Sequence, residues 1–122
     1  MQLSRESFTY ITDRVGSFVG DWVPLSKNGE SLGSFQAQVG EITGTWKVEA
    51  SDDPRAGKDD QDARPVDITS LCDFSLCPDP TGTAFDGIII VEGLGIGFIR
   101  LSLDITDGGT DPTNVWACFK KE

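Results

Sequence analysis

The sequence contains no histidine, and this absence excludes the general base of Ser–His and Cys–His catalysis. It also removes the imidazole ligands that most catalytic zinc sites use. Paired carboxylates could in principle hydrolyse a glycoside, but 20 acidic residues make some suitable-looking pair inevitable. We therefore expect a protein that is not an enzyme and that needs no cofactor.

Cysteine is scarce, and the three that occur, Cys72, Cys77 and Cys118, are an odd number. No apolar run is long enough to cross a bilayer, and Arg5 and Glu6 interrupt the N-terminal stretch that a signal peptide would need. An odd cysteine count without a signal peptide argues against a disulfide framework, and the spacing is not that of a zinc knuckle. We expect reduced thiols in a soluble protein made in the cytoplasm.

Positive charge is also in short supply, with 10 basic residues against 20 acidic ones and a net charge of −10. Between Asp67 and Asp111, Arg100 is the one basic residue in a strongly acidic stretch. Such a surface repels phosphate backbones and anionic lipid headgroups. We therefore expect neither nucleic acid nor a membrane as a partner.

Sustained helical periodicity is missing, and 14 glycines and six prolines indicate many turns. Period-two alternation is common instead. In residues 45–50, Trp46, Val48 and Ala50 share one face, which predicts a strand with one buried side. The whole pattern predicts an all-β fold of about eight short strands, an antiparallel β-sandwich or jelly roll.

Short turn-forming segments indicate how these strands connect. Residues 34–39 and 45–50 are predicted to form one hairpin, and residues 98–103 and 114–119 a second. Residues 88–91 are apolar on both faces, which is typical of a central strand covered on both sides. We expect residues 21–122 to form a single sandwich domain, preceded by an N-terminal arm or edge segment at residues 1–20.

The long polar segment at residues 51–64 is predicted to be mobile or to face a ligand. Its aspartates could offer oxygen ligands to calcium, but they lack the regular spacing of an EF-hand loop. We therefore expect no metal site, and the weak candidates for one are Asp52, Asp53, Asp59, Asp60 and Asp62. The glycines at 93, 95 and 97 do not have dinucleotide-motif spacing and predict a bend between two strands.

Aromatic residues supply the candidate interface. The segment 1–20 is polar with scattered aromatics, and it could dock on a partner or simply fray. Trp46 is predicted to lie in the core, whereas Trp116 is exposed if it faces away from its strand neighbours Val115 and Ala117. An exposed tryptophan commonly marks an interface. The interface candidates are Phe8, Tyr10, Phe18, Trp22 and Trp116.

Two groups of segments resemble small virion proteins of tailed bacteriophages. The first is Ser34-Phe35-Gln36-Ala37-Gln38 followed by residues 43–54, which match a hairpin that precedes a variable loop in those proteins. The second is Gly93-Leu94-Gly95, residues 98–101 and a closing strand that ends in Lys120-Lys121. The likeness spans residues 23–121, and the chain departs from it in the acidic loop after Asp53 and in the Cys72–Cys77 segment.

The resemblance implies a β-sandwich virion structural protein, such as a capsid decoration (cement) protein or the base of a head or neck fibre. It implies contact with the major capsid protein or neighbouring virion subunits, a homo-oligomer with a trimer favoured, and synthesis in the host bacterial cytoplasm. The alternative from the residues alone is a carbohydrate-binding β-sandwich module of the discoidin or lectin type.

Overall fold

Strands make up most of the chain. The computed structural model describes residues 4–25, 32–58, 60–92, 96–108 and 110–121. The strands are β1 (Ser4–Arg14), β2 (Phe18–Val19), β3 (Val23–Pro24), β4 (Leu32–Val39), β5 (Thr43–Ser51), β6 (Val66–Asp67), β7 (Asp73–Leu76), β8 (Phe85–Glu92), β9 (Phe98–Asp107) and β10 (Thr113–Lys121). Two short 3₁₀ helices cover Pro54–Lys58 and Thr69–Leu71. Within these described ranges, no helix is long and apolar enough to cross a membrane.

The strands form two antiparallel sheets that pack face to face. The first sheet has the order β1-β10-β4-β8-β7, and the second has the order β2-β9-β5-β6, with β3 also paired to β9. The pairs β1–β10, β2–β9, β4–β8 and β5–β6 are nested, as when one long hairpin is rolled up. This nesting is the topology of a jelly roll, and the predicted all-β sandwich is confirmed.

The two predicted hairpins are wrong, although the strands themselves exist. β4 lies in the first sheet and β5 in the second, and β9 and β10 are likewise divided between the sheets. The turn after β4 carries Ile42, which is fully buried between the sheets, so the chain arches over the core instead of folding back beside itself. Alternation shows which face of a strand is buried but does not show which strand lies next to it.

The core lies between the sheets and is built from the inward faces that the alternation predicted. Trp46 is almost completely buried, as expected, and its indole nitrogen donates to the carbonyl of Pro78 at 3.2 Å. The ring of Phe35 contacts Tyr10 and Phe119, with ring centroids 5.2 and 5.3 Å away. These contacts place Phe35 of the first sheet at the centre of an aromatic cluster.

Most of the segment 1–20 belongs to the sandwich. β1 is the edge strand of the first sheet and pairs with β10 along its length. A bulge between Thr9 and Ile11 allows Tyr10 and Ile11, which are consecutive, both to pack against the core. The Tyr10 hydroxyl donates to the carbonyl of Asp21 at 2.7 Å and accepts from the N–H of Leu101 at 3.1 Å. Tyr10 therefore ties the edge of the first sheet to the second.

Part of the acidic loop at residues 51–64 is packed against the second sheet, which does not fit a freely mobile loop; that the loop faces a ligand stays a prediction. Ala56 and Ala63 of the loop are buried against Trp22, with Phe98 alongside. The Trp22 indole nitrogen donates to the carbonyl of Asp60 at 2.9 Å. This packing could not be recognised from the residue pattern, because the small buried residues are outnumbered by charged ones.

Asp67 fixes the turn between β6 and the second 3₁₀ helix. Its Oδ1 accepts from the N–H and the hydroxyl of Thr69, at 2.9 and 2.6 Å, and that hydroxyl accepts from the N–H of Val48 on β5 at 3.0 Å. The hydrogen bonds from Thr69 hold the pKa of Asp67 below its ordinary value. Because the pKa of Asp67 is lower in the folded than in the unfolded chain, its ionised carboxylate stabilises the fold above about pH 3.9. This stabilisation is lost as the pH falls through the lower, folded-state pKa.

We therefore expect Asp67→Asn to reduce the free energy of unfolding at about pH 7, and its difference from the unsubstituted protein to shrink as the pH falls below about 3.9. Urea unfolding across this range measures the difference. Asp86→Asn, at an exposed position on another strand, serves as the control. A difference between Asp67→Asn and the unsubstituted protein that stays constant with pH would contradict the assignment.

Candidate docking surface

A cross-strand row of exposed side chains runs over the outer face of the first sheet. The register pairs Thr9 with Trp116, Trp116 with Gln36, Gln36 with Ile88, and Ile88 with Leu76. Because residues directly opposite each other in a sheet point to the same side, these five side chains form one line across all five strands. Three of them are large and apolar: Trp116 and Ile88 are each 38% exposed, and Leu76 is 60% exposed.

The rows on either side of this line are also free of charge in their centre. One flanking row contains Ser7, Cys118, Ser34 and Ile90, and the other contains Asn114 and Gln38. We call the outer face formed by these three rows the uncharged face; it consists of Ser7, Thr9, Ser34, Gln36, Gln38, Leu76, Ile88, Ile90, Asn114, Trp116 and Cys118. Aspartates stand only at its margin, Asp73 opposite Ile90 and Asp86 opposite Gln38.

The uncharged face is unusual for this chain, in which 25% of the residues are charged. Isolated apolar side chains are common on protein surfaces, but here they are aligned and surrounded by uncharged neighbours. The cores of protein interfaces are depleted of charged residues and enriched in aromatic ones, and tryptophan is prominent among the residues that dominate binding energy. The arrangement suits contact with another surface more than contact with water.

The structure separates the predicted interface residues. Phe18 and Trp22 are 4% and 6% exposed, so neither side chain is on the surface. Phe8 and Tyr10 are partly buried against the core cluster. Trp116 is the one of the five that projects outward on the first sheet, away from the core that buries Val115 and Ala117, so the condition stated for its exposure is met.

Sequence reasoning missed Leu76 and Ile88. Residues 88–91 were predicted to be covered on both sides, but only Ile89 and Val91 are buried, whereas Ile88 and Ile90 face outward on an uncovered surface. The signal was present in the run of four apolar residues. It could equally indicate a strand covered within the domain or a strand whose second face awaits a partner.

Three of the candidate calcium ligands, Asp52, Asp53 and Asp60, accept hydrogen bonds or pair with a cation within the protein itself. Asp52 accepts from the N–H of Gly97 at 2.7 Å, and Asp53 binds the Arg55 guanidinium at 2.8 Å. The hydrogen bonds from Arg55 hold the pKa of Asp53 below its ordinary value. Asp60 accepts from the N–H of Asp62 at 2.9 Å. Asp59 and Gly93–Gly95 lie outside the described residues. Among the described residues, no cluster of three or more His, Cys, Asp or Glu side chains could hold a metal ion.

The cysteines differ in their surroundings. Burial raises the pKa of the Cys72 and Cys77 thiols to about 11, so both stay protonated at neutral pH and are poor nucleophiles. Cys118 is partly exposed on the uncharged face, and all three thiols are free. The three cysteines therefore form no disulfide.

A buried ion pair lies under the acidic loop on the opposite sheet. Arg100, 5% exposed, contacts Glu49 Oε1 through Nε and Nη2, each at 3.1 Å. Its Nη1 donates to the side-chain and backbone carbonyls of Gln61, at 3.0 and 3.1 Å, and its guanidinium lies 4.3 Å from the ring centroid of Trp22. These contacts fasten the loop to the sheet, so the chain itself occupies this part of the face, whereas Val19 on β2 is 55% exposed.

The jelly-roll topology and the uncharged face therefore define a β-sandwich in which the acidic loop covers part of one outer surface and the other outer surface is open. No protein-family model, curated protein or solved structure matches the chain.

Proposed function

We propose that this chain is a non-catalytic structural protein of a tailed-phage virion, a capsid decoration protein that docks on the head through the uncharged face. The observation that carries the proposal is the line of Trp116, Ile88 and Leu76 across an otherwise uncharged sheet. The resemblance of residues 23–121 to small virion proteins supports a location on the virion. The jelly roll is compatible with it, since viral capsid domains commonly use this fold.

The charge distribution supports a partner different from the chain itself. Two copies that met through the uncharged face would bring together two molecules of net charge −10, which repel each other. A shell subunit with an uncharged contact area, and with basic groups opposite Asp73 and Asp86, would meet no such penalty. An oligomer of the chain through any other surface would meet the same repulsion and would need contacts that offset it.

The shape of the uncharged face favours a protein partner over a sugar. Five strands spaced at about 4.8 Å make a surface about 20 Å wide. Small ligands bind in concave sites that enclose most of their surface, whereas proteins meet over broad, flat areas. The exposed Trp116 beside Thr9 and Gln36 is thus better placed as an anchor between two proteins than as the floor of a carbohydrate pocket.

Co-sedimentation with empty heads of the phage that carries this coding sequence tests the proposal. We expect saturable binding of the purified chain to the heads, with a fixed number of copies per particle. Light scattering of the free chain at the same concentration gives its mass and tests for the trimer. A chain that remains monomeric and does not sediment with heads would refute the proposal.

A further inference from the structure

The two edge strands of the first sheet differ in how well they are protected from pairing with another strand. β7 has four residues, and a register shift interrupts its pairing with β8. Short length and irregular pairing are features by which proteins keep edge strands from pairing with other chains. β1 is 11 residues long, and its register with β10 is unbroken from Ser4 to Thr9. β1 therefore presents a regular edge that lacks this protection.

The outer side of β1 can accept a further strand. Among the residues that the structure describes, no strand pairs with this side. An edge strand directs a row of N–H and C=O groups away from its sheet, and an extended segment of another chain can pair with them. The six residues 4–9 offer such a segment a length of about 20 Å, and the bulge beyond Thr9 ends the regular stretch.

A recess opens beside this edge, between the two sheets. It has a volume of about 240 Å³, and β1 supplies Phe8 and Tyr10 to one wall while the segment at β3 supplies Trp22, Val23 and Pro24 to the other. Trp22 and Val23 are almost completely buried, but Phe8 and Tyr10 are partly exposed and Pro24 is exposed. The recess thus offers accessible apolar surface and space for one large side chain.

The recess is aligned with the strand edge. Phe8 points inward, since it pairs with the buried Ala117 and packs against the core. Residues directly opposite each other in a sheet point to the same side, so the residue of an added strand opposite Phe8 would also point inward, towards the recess. The Tyr10 hydroxyl bonds to the carbonyl of Asp21 and the N–H of Leu101, which fixes the separation of the sheets and forms the recess in advance.

The charge at the recess narrows the class of ligand. Among the described residues that line it, Asp21 alone carries a charge, and it is exposed. A ligand with a basic residue beside its apolar one would be attracted by this carboxylate, and an acidic ligand would be repelled. The net charge of −10 likewise disfavours a second copy of the chain as the occupant.

We propose that β1 binds an extended peptide segment of a partner protein by β-strand addition, with a large apolar side chain in the recess and a basic residue near Asp21. Main-chain hydrogen bonds to β1 supply affinity, and the recess supplies specificity. The site needs only the strand edge and the recess. It does not depend on docking through the uncharged face, although Thr9 belongs to that face as well.

Titration of the ¹⁵N-labelled chain with the peptides acetyl-Lys-Thr-Val-Thr-X-Thr-Lys-amide tests the proposal by NMR, with leucine, isoleucine, methionine, phenylalanine or alanine at X. We expect at least one of the four large side chains to shift the amide signals of Ser7, Thr9 and Val23, with a dissociation constant on the order of 0.1–1 mM. The alanine peptide should bind at least about tenfold more weakly, because it leaves the recess unfilled.

Two N-methylated forms of the best peptide separate strand pairing from simple occupation of the recess. One form is methylated at the threonine nitrogens and the other at the alternate nitrogens. Because alternate N–H groups of a strand face the same neighbour, one form should lose binding by at least about tenfold and the other should retain it.

Asp21→Lys should weaken binding of the best peptide by about tenfold, because it replaces an attraction for the peptide lysines with a repulsion. The carbonyl of Asp21 that accepts from Tyr10 is kept in this variant. Asp86→Lys, at an exposed position on β8, changes the net charge equally and is the matched control, which should bind almost as well as the unsubstituted chain.

Three results would overturn the assignment. One is the absence of shifts along β1 with every peptide. Another is equal binding of the two N-methylated forms, which would show that no strand is added. The third is a concentration-dependent shift of the β1 signals without peptide, together with a dimer in light scattering, which would make a second copy of the chain the occupant.

Discussion

Glu49→Ala should lower the free energy of unfolding by about 3–5 kcal/mol, the largest stability effect that we expect from a single polar substitution here. Glu49 is the carboxylate that neutralises Arg100, and both side chains are almost completely buried. The substitution leaves the guanidinium buried with only carbonyl and aromatic neighbours. Because small domains are stable by about 5–15 kcal/mol, a loss of this size is readily measured by urea unfolding.

Two further variants separate the buried charge from the ion pair on the surface. Lys47 lies 3.5 Å from the same carboxylate, but its side chain is 48% exposed, so Lys47→Ala should cost no more than about 1 kcal/mol. The double variant Glu49→Leu, Arg100→Met removes both charges and should recover much of the loss. If Glu49→Ala and Lys47→Ala cost the same, the buried pair does not hold the loop as described.

The buried pair also shows how far charge patterning can be interpreted from a sequence. Arg100 stands alone among acidic residues between positions 67 and 111, which suggests a solvated acidic surface. In the structure, Arg100 is covered by Trp22 and Gln61, which lie 78 and 39 positions away along the chain. Contacts over such separations depend on topology, and periodicity within a strand contains no information about them.

Strand identity was easier to predict than strand partnership for the same reason. The buried faces of β4 and β5 follow directly from their alternation, and Trp46 lies on the side that it indicated, whereas the side of Trp116 was left open. The division of β4 and β5 between sheets depends on whether the turn residue Ile42 points into a core that other strands complete. A short glycine-containing turn is compatible with either outcome.

The candidate docking surface was only partly predictable. Trp116 was among the candidates because it would be exposed if it faced away from Val115 and Ala117. The register with Gln36, Ile88 and Leu76 comes from strands that are far apart in sequence, so the continuous line could be recognised only once the sheet order was known. Phe18 and Trp22 were chosen as aromatics in weakly patterned segments, and such segments do not reveal which side is buried.

Trp116→Thr should weaken binding to empty heads by on the order of 100-fold, which is the effect of losing a dominant interface residue. Threonine keeps the β-propensity of the position, and the indole is partly exposed, so the melting temperature should change little. Sedimentation with heads measures the affinity, and a thermal scan of the free chain measures the fold. Val19→Thr is the control, because Val19 is an apolar strand residue, 55% exposed, on the second sheet.

Gln36→Glu completes the test, because it removes no apolar surface and adds a charge at the centre of the uncharged face. If docking requires an uncharged contact, this variant should bind heads at least tenfold more weakly, since a buried carboxylate without a partner is costly. Equal loss in Val19→Thr would place the contact elsewhere on the sandwich. Full binding by both Trp116→Thr and Gln36→Glu would show that the line from Thr9 to Leu76 is not the surface through which the chain docks.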